Sequence, residues 1–170
     1  MSTPIAGSYP AYFFNYIKLV ETASITEAIE KYSKYLNDFF LQISEEKSTY
    51  RYAENKWSIK EMLQHIIDCE RIFVFRALSI ARGEQTPLPG FEENDYALAS
   101  KAGNRSWQSL TEEFAATRKS TDLMLQSFTE EQLNSSGTTN GNANTTVAIA
   151  FVIFGHALHH ISVVKEKYLR

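Results

Sequence analysis

The chain has 170 residues, enough for one domain with a sizeable core, and its 44% hydrophobic and 22% charged content is that of an ordinary globular protein. A net charge of -3 without any basic cluster argues against a general nucleic-acid binder. The single cysteine, Cys69, excludes an internal disulfide framework and fits a reducing compartment.

Met1 to Pro10 lacks the basic-then-apolar order of a secretory leader, so a cytoplasmic protein is expected, folded as a single domain over residues 1–170. Pro4, Gly7 and Pro10 interrupt the beginning. Tyr12 to Val20 has room for a short helix, whose aromatics (Tyr12, Phe13, Phe14, Tyr16) most simply cover one edge of the core. Ser24 and Glu27 have capping-box spacing and open the first long helix. Ile29, Tyr32, Leu36, Phe39, Phe40 and Ile43 then recur at helical spacing, and Glu45, Glu46 and Lys47 end the helix in solvent.

After a polar connection, Ser58 and Glu61 make a second capping box. The helix it opens spans Trp57 to Arg82, with Ile59, Met62, Ile66, Cys69, Phe73 and Ala77 on one side. Glu70, Arg71 and Arg76 interrupt it as charges. They read as a solvated face, or as a carboxylate steadying a ligating imidazole. Arg82-Gly83 stops the helix, and Thr86 to Gly90 is turn chemistry. About 20 residues then precede the third helix, a link that reaches roughly 66 Å when extended and so permits a crossover between parallel helices. Glu92 to Ser100 has room for a helical turn on the way.

The third helix runs from Ser106 to Phe128, with Trp107, Leu110, Phe114, Thr117, Thr121, Leu125 and Phe128 inward. Thr129 to Gln132 repeats the capping pattern. Ser135 to Asn144 is rich in Ser, Thr, Asn and Gly and reads as a mobile loop. Asn144 or Thr145 caps the last helix, which is apolar nearly all round from Val147 to Phe154 and belongs deepest in the fold. Its apolar run to Leu158 is too short to span a bilayer. No strand of useful length is expected.

Of four histidines, three fall in Gly155-His156-Ala157-Leu158-His159-His160. His156 and His160 share one helix face about 6 Å apart along the axis, which suits two imidazoles on one metal ion. His65, on the second helix, offers a third nitrogen if the two helices face each other. Three imidazoles leave a coordination position open, as in catalytic sites. The alternative is ordinary helix histidines, buried and hydrogen-bonded. Neutral imidazole suits zinc, nickel, copper or iron(II). Cys69, one turn past His65, is a fourth ligand or, more simply, a small buried residue. His159 lies about 100° round the helix from His160 and more simply packs or hydrogen-bonds.

Several stretches together resemble one family: Tyr52 to Glu61, His65 to Arg71, Arg76-Ala77-Leu78, Ala81-Arg82-Gly83, Thr86 to Glu92, and Gly155-His156 with His159-His160. They are similar to the DinB-like superfamily, the bacterial DinB/YfiT group of proteins called metal-dependent hydrolases. The similarity runs from about Tyr9 to Leu169. It implies an all-α four-helix bundle of up-down-down-up topology, with a long crossover between helices 2 and 3. It also implies a divalent metal on His65, His156 and His160, with zinc or nickel expected first and iron or manganese after them. Glu54-Asn55 replaces the usual Pro-Gly before Lys-Trp, and Ala157 replaces a frequent Glu, so no carboxylate role is carried over to those positions. The function implied is a metal-dependent, hydrolase-like enzyme that activates water or a thiol for a small-molecule substrate. The alternatives are a bacillithiol-type thiol S-transferase, taking a low-molecular-weight thiol, and a non-enzymatic metal- or ligand-binding bundle. No nucleic-acid or membrane partner is expected. The aromatics near the N-terminus allow a homodimer.

Overall fold

The computed structural model describes residues 3–170. A 3-10 turn at Ala11–Phe13 leads into α1 (Phe14–Ile17). Four long helices follow: α2 (Ile25–Leu41), α4 (Ile59–Ala81), α6 (Trp107–Gln126) and α8 (Thr146–Val163). Shorter pieces join them: α3 (Glu45–Ser48), α5 (Glu93–Ser100) and α7 (Glu130–Asn134). Local chemistry sets the starts. The Ser24 hydroxyl accepts from the Glu27 amide, and Ser58 and Glu61 complete a reciprocal capping box. Thr145 caps α8 by accepting from the Ala148 amide.

In the bundle, α2 and α4 each pack against both α6 and α8. Side-chain pairs give the directions. Lys60 at the start of α4 donates to the Arg105 carbonyl just before α6, mid-helix Arg71 pairs with Glu113, and Arg82 lies over the Phe128 ring past both ends. Helices α4 and α6 therefore run parallel, as the long link between them requires. Phe40, near the end of α2, meets Trp107 at the start of α6, so that pair is antiparallel. The Tyr168 hydroxyl, beyond α8, donates to the Trp57 carbonyl before α4, so that pair is antiparallel too. The result is the up-down-down-up bundle expected.

Apolar stripes make the interior as the spacing predicts. Ile29, Tyr32, Leu36, Phe39, Phe40 and Ile43 of the first long helix and its end meet Leu63, Ile66, Ile67, Leu110, Phe114, Phe151 and Phe154. Helix α8 with its continuation to Tyr168 is long and apolar enough to cross a membrane, beyond the shorter run read from the sequence. Most of its surface is instead buried between the other helices, which accounts for its composition.

Three local expectations need correction. Ser135 to Asn144 contains a hairpin, β1 (Ser136–Thr139) paired antiparallel with β2 (Asn142–Thr145). Its two-residue turn is Asn140-Gly141, both at positive φ, the pairing that favours a type I′ hairpin. The Leu88 amide donates to the Thr138 carbonyl and the Asn140 amide to the Leu88 carbonyl, so the hairpin holds the crossover in place. Second, Glu45 is exposed as expected but does not end the first long helix, which stops at Leu41; it opens α3. It accepts from Lys60 and from the Trp107 amide, joining three elements. Third, Glu70 is not on a solvated face. At 2% exposure it pairs with Arg118, itself at 0%, and accepts from Thr121. The Arg118 guanidinium also reaches Asp122 and lies 4.5 Å from the Phe154 ring centroid. Such a buried set is costly to desolvate and tolerable only with its partners in place.

Candidate metal centre

Helices α4 and α8 bring three imidazoles to one point. His65 projects from the first third of α4, two turns after the Ser58 cap, and His156 and His160 project from successive turns of α8. The Nε2 atoms of His65 and His156 are 3.1 Å apart, and those of His160 and His156 are also 3.1 Å apart. Nitrogens bound about 2.0–2.1 Å from a shared ion stand roughly 2.8–3.4 Å apart at octahedral to tetrahedral angles. The spacing therefore fits a divalent cation.

Aromatic packing fixes the rings. Trp57 lies over His65 with centroids 4.8 Å apart, while Tyr16 and Phe73 meet the His156 ring edge-on at 5.5 and 5.8 Å. Tyr16 reaches its place because Gly155 lets the α1 backbone lie directly on α8; an added Cβ would sit 2.5 Å from the Tyr16 carbonyl carbon. His159, the remaining histidine, is exposed and meets the Tyr16 ring edge-on at 5.6 Å.

Electrostatics favour neutral donors. Burial pushes His65 down to about 4, and it pushes His156 and His160 below the usual histidine value, with the neighbouring imidazoles adding to the effect. At neutral pH all three offer lone pairs, the form that binds metal. Cys69 is buried beneath them, its Sγ 3.6 Å from His65 Nδ1. Its sulfur belongs with His65 and His156 to a group whose ligand atoms lie within 4.8 Å of one another. Burial, then the nearby carboxylates of Glu93 and Asp68, push the thiol well up, so it stays protonated in the bare protein. Cys69 also packs with Phe13, Phe73, Ile149 and Val152, the role of a small apolar residue.

The suggested carboxylate support is not there. Glu61 accepts from Ser58 and Arg51, and Asp68 accepts from Gln64. Among the described residues none of the three rings is hydrogen-bonded to a carboxylate, and His160 Nδ1 is buried without a partner. Ring orientation here comes from packing rather than from acceptors.

One cavity opens on the cluster and a second lies beyond Trp57. The first, of about 240 Å³, is lined by His156, Cys69, Tyr16, Phe73, Arg76 and Glu93, among others. The other, of about 220 Å³, is lined by Trp57, Met62 and Val163, one turn from His65 and His160. Sequence reasoning missed Trp57, whose ring covers His65, and Arg76, which follows His65, Cys69 and Phe73 along one stripe of α4. The signal for Arg76 was a charge at an apolar position.

The family model of the DinB superfamily matches residues 25–164. A curated protein of Oceanobacillus iheyensis named "Putative metal-dependent hydrolase" is 24% identical over 139 residues, covering 81% of this chain and 79% of that one. Among solved structures, YfiT from Bacillus subtilis, described as "a probable metal-dependent hydrolase with an unusual four-helix bundle topology", aligns with a TM-score of 0.69. It is 15% identical, with 86% of this chain and 88% of that chain covered, and so is similar in fold.

Proposed function

The chain belongs to the DinB superfamily, and from that premise we propose that it is a metal-dependent, hydrolase-like enzyme acting on a small molecule. The observation that carries the reading is the convergence of three neutral imidazoles beside a cavity. His65, His156 and His160 would hold one divalent ion, zinc or nickel first by ligand type. Bound there, it would supply Lewis acidity, lowering the pKa of a water or thiol enough to give a nucleophile at neutral pH. The chain's residues supply the rest. Trp57, Tyr16 and Phe73 lock the rings, and their apolar faces keep bulk water from the cluster. Cys69 fills the space under His65 as a small apolar residue packed with Phe73 and Val152.

A second reading, thiol S-transfer, is favoured by one feature: besides the cavity at His156, a second cavity lies against Trp57, whose ring covers His65, room for a thiol and an electrophile. Loading the protein with cobalt or nickel separates the two. Metal-dependent cleavage of small esters or amides, lost on chelation and restored on reloading, supports the hydrolase. A thiolate charge-transfer band, with an electrophile consumed only when thiol is present, supports the transferase. An intact metal site with neither behaviour overturns the enzymatic reading and leaves a binding bundle.

A further inference from the structure

The larger of the two cavities holds a charge that the proposed chemistry does not use. Arg76 is only 6% exposed, yet among the described residues it forms no ion pair. One N–H donates to the Pro89 carbonyl at 2.7 Å. The guanidinium lies 6.0 Å from the Phe73 ring and 5.9 Å from the Phe91 ring. A guanidinium carries five N–H donors in a planar fork, and a clamp on Pro89 uses one of them. Burying a cation for one hydrogen bond and two ring contacts is unfavourable, and burial accordingly works against the charge on Arg76. Its other nitrogens are not among the sealed, unpaired polar atoms, so they stay open at the cavity, where an anion can pair with them.

We propose that Arg76 binds the carboxylate of a small aromatic or branched apolar acid, whose far end reaches His156 and the histidine cluster. The walls are Tyr12, Phe13, Tyr16, Phe73 and Phe91, which suit a flat or branched apolar body. The volume of about 240 Å³ lies below the usual drug-sized range and selects a small molecule. Cys69, beside the cluster, and Arg76 are seven residues apart on α4, about 10.5 Å along the axis. Both line the one cavity, as does His156, so an acid held at Arg76 shares an enclosure with the cluster. The cavity has one cationic side chain and one carboxylate, Glu93. That balance favours a monoanion over a phosphate monoester, and the planar fork matches a carboxylate bidentately. Capture at Arg76 stands by itself; the direction in which the acid points rests on the histidine cluster being the reaction centre.

The test titrates metal-free protein with benzoate, benzamide and phenyl phosphate, following amide chemical shifts by NMR. Metal-free protein removes direct coordination of the anion. Benzoate is expected to bind, shifting the amides around Arg76 and Phe91, and benzamide at least tenfold more weakly. R76Q should lower benzoate affinity at least tenfold while leaving the circular dichroism spectrum and metal uptake unchanged. R76K, which keeps the charge and a donor for Pro89, should bind benzoate with intermediate affinity and still reject benzamide. Equal binding of benzoate and benzamide by the unsubstituted protein overturns the proposal without any variant. So does unchanged benzoate binding in R76Q, or phenyl phosphate binding more tightly than benzoate. Metal uptake, measured on the same samples, tests the histidine site separately, so either reading fails alone.

Discussion

Gly155→Ala sets two opposing effects against each other. In a helix interior alanine is favoured over glycine by about 1 kcal/mol, so propensity alone predicts a more stable protein. The structure predicts the opposite. An added Cβ at Gly155 would lie 2.5 Å from the Tyr16 carbonyl carbon and 3.0 Å from its Cα, and closer still to the carbonyl oxygen. All three atoms are backbone, so no rotamer change relieves the overlap. Either α1 moves off α8 or α8 distorts next to His156. Overpacking costs about 1–3 kcal/mol, and a backbone obstacle places this case at the upper end. The net is a loss of about 2 kcal/mol, a melting temperature lower by roughly 4–8 °C for a chain of this size. Thermal melts by circular dichroism read the total. Hydrogen exchange at Lys18, Leu19 and Val20, whose amides donate to carbonyls of this segment, reads its detachment. A variant that melts higher, with exchange unchanged, refutes the docking of α1 on α8 described here.

Acidification should destabilise the metal-free protein between pH 6.5 and about 4, the folded value of His65. In that window the unfolded chain takes up protons that the folded imidazoles cannot, so stability is complete above it and falls as pH drops. His65 alone contributes roughly 2–4 kcal/mol by this linkage; urea melts at pH 7.5, 6 and 5 follow it, His65→Gln should make the curve shallower while His156 and His160 keep the rest of the dependence, and flat stability in the unsubstituted protein contradicts it. Glu70→Ala leaves Arg118 buried with Asp122 as its remaining carboxylate and should cost about 2–4 kcal/mol in urea denaturation. A loss below about 1 kcal/mol would show the pair to be near break-even. Gly141→Ala puts a side chain at φ 71° in the hairpin turn and should cost about 1–2 kcal/mol locally. Faster amide exchange at Leu88 and Asn140 is the readout, and unchanged exchange contradicts the role of the hairpin in holding the crossover.

The long helices were legible because their signals are local and repeated. Ser24 and Ser58 cap where the sequence places caps, and apolar residues follow at helical spacing. The parallel arrangement of α4 and α6 followed from the length of their connection. The hairpin at Asn140-Gly141 was hidden by composition: the flanking residues are small and polar, and the strands gain their support from Leu88, far away in sequence. Glu70 was misplaced because its partner, Arg118, lies 48 positions away on another helix. At the site, the i, i+4 pair and His65 were visible as candidates. That α4 and α8 face each other closely enough for nitrogens 3.1 Å apart is a tertiary fact. Trp57 had no periodic signature, and Arg76 showed only as a charge on an apolar stripe, since each acts through a ring or cavity built by other elements.

The central claim is that the three histidines bind one metal ion, and anomalous diffraction from metal-loaded crystals, with elemental analysis of the same protein, tests it most directly. One ion per chain is predicted, with His65, His156 and His160 Nε2 as ligands. His156→Ala and His160→Ala should each abolish uptake while leaving the helical spectrum largely intact, because the apolar core does not depend on the ion. An ion held elsewhere in the chain, or no uptake of zinc, nickel, cobalt, iron or manganese with the three rings still converged, would contradict the claim.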